Sequence, residues 1–206
     1  EKSRRLFAAQ FAGVSIDDQD YFSLVANAKL QALKGNYPLA EDLFLQAIDY
    51  TPSLPENYLA LSRLYLYQGK TEEAKIYLEE ARRLVPDSHD PRLNEWHRQD
   101  VSRYLSTLEY YLGEADVKQK NYLAARGYYQ EAIRHNYDLR LYKKIADTYY
   151  LEGNFDQALW FNFRAMYLDK ENYIWPLAIS YLYQELGNSR LFQEYRHLAE
   201  ELNNKK

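Results

Sequence analysis

Residues 55–88, PENYLALSRLYLYQGKTEEAKIYLEEARRLVPDS, decide the fold. Tyr58, Leu61, Leu64 and Tyr65 recur at helical spacing, and so do Ala74, Tyr77, Leu78 and Ala81. Gly69 stands between the two runs, where a left-handed residue closes a helix. The stretch therefore reads as helix, glycine turn, helix. The boundaries agree with this. Ser53 and Glu56 have capping-box spacing, with Pro55 in the first turn. Thr71 precedes Glu72 and Glu73 at the positive end of the second helix, and Arg82-Arg83 falls in its last turn, where cations are favoured.

The unit repeats. Gly35 and Gly69 lie 34 residues apart, as do Gly153 and Gly187, and Pro52 and Pro86. Blocks keyed to them run 21–54, 55–88, 106–138, 139–172 and 173–206, with segment 89–105 interrupting the series. The third block is one residue short and has Lys120 where the others have glycine. Three columns hold only small residues across the first four blocks: Ala28, Ala40, Ala47; Ser62, Ala74, Ala81; Gly113, Ala125, Ala132; Ala146, Ala158, Ala165. Gly, Ala and Ser together make up less than a fifth of the chain, so this agreement is not chance. Small side chains at fixed places let paired helices approach, and a large one there would overpack the contact at about 1–3 kcal/mol. The fifth block decays: Ser180 and Ala199 keep the columns, Phe192 does not.

Composition removes several classes of function. Of the 206 residues none is cysteine, which excludes disulfide scaffolds and thiolate chemistry. The net charge of -4 argues against nucleic-acid binding, which relies on basic surface. No run approaches the ~20 apolar residues of a membrane-spanning helix. His89, His97, His135 and His197 are not spaced as a metal pair on one helix, and the Asp17-Asp18-Gln19-Asp20 run lacks the glycine and final glutamate of a calcium loop. No phosphate loop or nucleophile elbow is present. The expectation is a non-enzyme without metal or cofactor. The 22 tyrosines fill space between helices with their hydroxyls reaching outward.

The 34-residue unit resembles the tetratricopeptide repeat (TPR). The second block carries the resemblance best, in Tyr58, Leu61, Ser62, Tyr65, Gly69, Ala74, Leu78, Ala81 and Pro86. The first follows with Leu24, Ala28, Gly35, Tyr37, Ala40, Phe44, Ala47 and Pro52, and the third and fourth keep most of the same positions. The resemblance implies an all-α, right-handed superhelical solenoid of antiparallel helix pairs whose first helices line a concave groove for a peptide. By position that groove would present Phe22, Val25, Lys29, Leu59, Arg63, Leu66, Tyr67, Tyr110, Lys143 and Tyr150. The Lys/Asn/Arg clamp with which chaperone-binding members grip a terminal carboxylate is not present as a set: the matching places hold Val25, Lys29, Leu59, Arg63, Tyr110 and Glu114. The groove instead suits a segment with apolar anchors and a nearby acid, oriented by Lys29, Arg63 and Lys143.

The expected organisation is a capping helix and loop over 1–20, repeats over 21–88, an inserted helical segment over 89–105 and repeats over 106–206, the last divergent. Leu93, Trp96, Val101, Tyr104, Leu105, Leu108 and Leu112 keep helical spacing into the third block. One long helix from 91 to 118 fits this, and so does a separate helix breaking near 100–102. The functional expectation is an interaction scaffold that binds a protein or peptide. The alternatives are a structural protein that self-associates, for which segment 89–105 with Trp96 is the candidate surface, and an accessory domain of an envelope-assembly or secretion protein. The chain opens at Glu1 rather than Met, so a signal peptide or anchor preceding it would bring membrane contact; cytoplasm and periplasm are equally compatible.

Overall fold

The computed structural model describes residues 19–86 and 94–204, with the side chains of 19 and 95–97 left aside. The expected capping segment over most of 1–20, the first residues of segment 89–105 and the Trp96 side chain lie outside the described residues.

Ten helices and no strand are found among the described residues. They are α1 (Gln19–Leu33), α2 (Tyr37–Tyr50), α3 (Pro55–Gln68), α4 (Thr71–Leu84), α5 (Glu95–Lys118), α6 (Tyr122–His135), α7 (Leu139–Leu151), α8 (Phe155–Leu168), α9 (Ile174–Glu185) and α10 (Ser189–Asn203). The pairs α1/α2, α3/α4, α7/α8 and α9/α10 are packed helix hairpins. The small columns work as the spacing predicts: all twelve residues are buried, as are Ser180 and Ala199. Gly69 closes α3 at φ 77°, where the Lys70 amide reaches back to the Tyr65 carbonyl at 2.9 Å. Lys120 adopts the same left-handed turn at φ 61° without being glycine.

The described part of segment 89–105 joins the third repeat without a break. From Glu95 onward it is one helix with the start of that repeat, so α5 runs for 24 residues, about 36 Å at 1.5 Å per residue. Ser53 does not hold the cap position. Leu54 occupies the cap position of α3 and makes no side-chain bond to the helix; Pro55 supplies the preset first turn and Glu56 turns inward. Thr71 is likewise the first residue of α4, after Lys70 in the cap position.

The chain divides into two compact units, residues 1–119 and 120–206, at the turn inside the third block. In the first unit, Asn57 ties three elements together. It accepts from the Tyr21 hydroxyl of α1 at 2.6 Å, and its amide donates to the Ala47 carbonyl of α2 and to Thr51 Oγ1, each at 2.8 Å. A polar ladder joins α4 to α5. Arg82 meets Glu109 at 2.7 Å, Lys75 meets Asp116 at 2.9 Å, and the Gln119 amide donates to Glu72. From Arg82 back to Lys75 the chain moves as far as from Glu109 on to Asp116, two turns, as antiparallel helices in fixed register require. Glu109 and Asp116 are each only 1% exposed. Beyond the end of α4, Val85 packs on Val101 and Leu105 of α5.

In the second unit Arg126 has the corresponding importance. It is buried in α6, forks onto Glu152 at 2.6 and 3.2 Å, and lies 4.2 Å from the centroid of the Tyr149 ring. Ala158, Leu159, Ile179 and Leu182 form the core there, with Phe163, Met166, Tyr183 and Tyr195 packed around it.

Candidate interaction surface

The residues expected to line the groove fall on both units. Phe22, Val25 and Lys29 stand on α1; Leu59, Arg63, Leu66 and Tyr67 on α3; Tyr110 on α5. Lys143 and Tyr150 stand on α7 of the second unit.

On the first unit, Lys29 and Arg63 occupy the same place in successive repeats and are exposed. Among the described residues neither has a carboxylate partner; Lys34, Arg98 and Lys118 of the same unit also lack one, whereas Lys70, Lys75, Arg82, Arg83 and Arg103 are paired. Arg63 lies over the Tyr111 ring, 5.4 Å from its centroid, which fixes the guanidinium without neutralising it. Tyr110 meets Tyr111 edge-on at 5.1 Å. Tyr111 was not among the expected groove residues. The Tyr110-Tyr111 doublet was visible in the sequence, but helical spacing does not say which ring takes the cation.

The remaining positions are mixed. Phe22 and Val25 are half-buried because they pack on the cluster of Tyr21, Ala47 and Leu54. Leu59 is half-buried beside Arg63 on α3. Leu66 corrects the expectation: it is only 6% exposed and cannot meet a partner. It continues the row of Tyr58 and Ser62 at successive helical turns, and both of those are buried. Tyr67 is 76% exposed at the turn end of α3, its ring 5.7 Å from that of Tyr37.

In the second unit Lys143 is drawn onto Asp147, one turn along α7, at 2.8 Å. Tyr150 is 41% exposed, donates to Glu185 at 3.4 Å and touches the Phe155 ring at 5.8 Å. A cation already held by a carboxylate one turn away is a weaker handle for a ligand than Lys29 or Arg63.

Among the described residues no group of three or more His, Cys, Asp or Glu side chains could hold a metal ion, and no helix is long and apolar enough to cross a membrane.

Antiparallel helix pairs of 34-residue period, close-packed through small residues and closed by left-handed turns, define the fold of TPR-type helical-repeat proteins. Solved structures of that type bear this out. The chain is similar to MamA in a crystal structure with 20% identity and a TM-score of 0.67, over 90% of this chain and 93% of that one. Residues 41 to the end of MamA from Desulfovibrio magneticus RS-1 give 14% identity and a TM-score of 0.69, over 92% and 98%. YrrB, a TPR protein with an unusual peptide-binding site, gives 19% identity and a TM-score of 0.59, over 87% and 84%. No family model matches the sequence, and no curated protein is similar to it.

Proposed function

We propose that the protein is a non-catalytic interaction scaffold that holds a partner polypeptide segment along the α1, α3 and α5 faces of its first unit. One observation carries this reading. Lys29 and Arg63 repeat at equivalent positions of successive repeats, both exposed and without a carboxylate, and Arg63 lies over the Tyr111 ring beside Tyr110. Val25, Leu59 and Tyr110 fill the neighbouring column, so the surface alternates apolar footholds with positive charge. An extended segment carrying an acid next to an aromatic or aliphatic side chain satisfies both. That YrrB has a peptide-binding site on the same fold supports the class of ligand.

Peptides selected from a random 12-residue library on the immobilised protein test this. The selected sequences are expected to place Asp or Glu within three residues of Phe, Tyr, Leu or Ile. Their affinity is expected to fall about tenfold or more, roughly 1.4 kcal/mol, for Arg63→Glu combined with Tyr110→Ala. Equal affinity for wild type and the double variant refutes the assignment of this surface.

A further inference from the structure

Tyr37 opens α2 and Tyr67 stands one residue before the end of α3, so the two belong to successive repeats. Their ring centroids are 5.7 Å apart and the ring planes meet at 55°. Tyr67 is 76% exposed and Tyr37 is half-buried, so water reaches both rings. The other tyrosine contacts of the first unit differ. In the pairs of Tyr21 with Tyr50, Tyr58 with Tyr77 and Tyr65 with Tyr77, one ring is buried. The hydroxyl of that ring is also held, by Asn57 at 2.6 Å, by the Pro52 carbonyl at 2.7 Å and by Glu41 at 3.0 Å respectively. Tyr110 and Tyr111 are chain neighbours, and Arg63 lies over Tyr111. In the second unit Tyr183 and Tyr195 stack face to face against the core, and Tyr137 and Tyr142 are 6.3 Å apart.

We propose that Tyr37 and Tyr67 are an oxidative cross-linking site, at which a one-electron oxidant of the peroxidase class joins the first repeat to the second by a carbon–carbon bond. Each phenol gives one electron and its hydroxyl proton to the oxidant. The two phenoxyl radicals couple through ring carbons next to their oxygens. Each coupled carbon then releases its hydrogen as a proton while each oxygen takes one back, which restores two phenols. In sum two protons and two electrons leave, and one hydrogen peroxide accepts them and becomes two waters.

The geometry favours this pair over a random encounter. An exposed side chain changes rotamer on the picosecond-to-nanosecond scale, so Tyr67 can turn its ring edge onto Tyr37 while both helices stay in place. Two rings held side by side react at an effective concentration far above that of any second chain in dilute solution. The chain between them spans α2, the turn after it and α3, so the bond constrains the unfolded chain as a disulfide of equal span does. The bond uses Tyr67 but does not depend on partner binding.

The test treats the full chain, at low concentration, with a haem peroxidase and hydrogen peroxide, followed by trypsin and mass spectrometry. Cleavage after Lys34, Arg63 and Lys70 separates residues 35–63 from 64–70. A Tyr37–Tyr67 bond therefore appears as one species of their summed mass less two hydrogens, and fragmentation places the bond. This species is expected to be the main tyrosine–tyrosine product. It is expected to be missing from Tyr37→Phe and from Tyr67→Phe, which keep the ring packing. Its share of the cross-linked products is expected to fall about tenfold or more when the chain is oxidised unfolded in urea. Absence of the species, a bond placed at Tyr50, Tyr58 or Tyr65 instead, predominance of Tyr137–Tyr142 or of chain-to-chain products, or an equal share in urea overturns the proposal.

Discussion

Replacing Asn57 with alanine is the sharpest test of how the first unit holds together. The side chain is 2% exposed and serves three groups from three directions. Truncation leaves the buried Tyr21 hydroxyl without its acceptor, at about 1–3 kcal/mol. The Ala47 carbonyl loses less, because it still accepts from the Thr51 amide at 3.1 Å and from Thr51 Oγ1 at 3.2 Å. The two lost amide bonds and the small void bring the expected total to the order of 3 kcal/mol. Tyr21→Phe removes the same 2.6 Å bond from the other side and strands Asn57 Oδ1, at about 1–2 kcal/mol. Because the two changes share one bond, the double variant is expected to cost about 1 kcal/mol less than their sum. Native-state hydrogen exchange of α1, α2 and α3 in urea measures each value within this unit, so that the second unit does not mask it. A cost below about 1 kcal/mol for Asn57→Ala, or strict additivity in the cycle, refutes the idea that this residue locks the three helices.

Two further substitutions probe the repeat itself. Ala74 is fully buried between helices, so Ala74→Leu is expected to overpack the contact and lower stability by about 1–3 kcal/mol, read as a lower urea midpoint; an unchanged midpoint shows that close approach is not required there. Lys120 holds φ 61° in a turn that glycine occupies elsewhere, so Lys120→Gly is expected to stabilise by up to about 1 kcal/mol, seen as a higher thermal midpoint; a fall in midpoint rejects strain at this turn.

The architecture was legible because it rests on spacing. Tiny residues at fixed intervals are rare by chance and have one physical use, and the residues that meet it are buried. The long α5 was legible as one of two options, since apolar positions kept step through Asp100–Ser102, but periodicity cannot say whether a helix continues or restarts. The candidate surface was legible only in part. Leu66 has the same spacing as an outward residue until its neighbours are placed, and only then does it join the buried row with Tyr58 and Ser62. The acids that matter most were invisible. Glu109 and Asp116 resemble any solvated helix acid in sequence, and Arg82 reads as a favourable end-of-helix cation; their pairing depends on a helix that arrives from beyond the interruption. Asn57 likewise sits among apolar neighbours with no pattern to mark it. Ser53 and Glu56 fit a capping template, but the cap position went to Leu54.

The charged seam between α4 and α5 bears on how such a chain can evolve. Arrays of this sort grow and shrink by duplicating or deleting whole units, and where neighbours meet through alanine and leucine any copy can follow any other. Here the succession is constrained. A copy spliced in after α4 would set Glu109 and Asp116 of α5 against a helix lacking Arg82 and Lys75, so two buried carboxylates would lose these cations. Gains and losses of units are therefore tolerable elsewhere, while these two helices must be inherited as a couple.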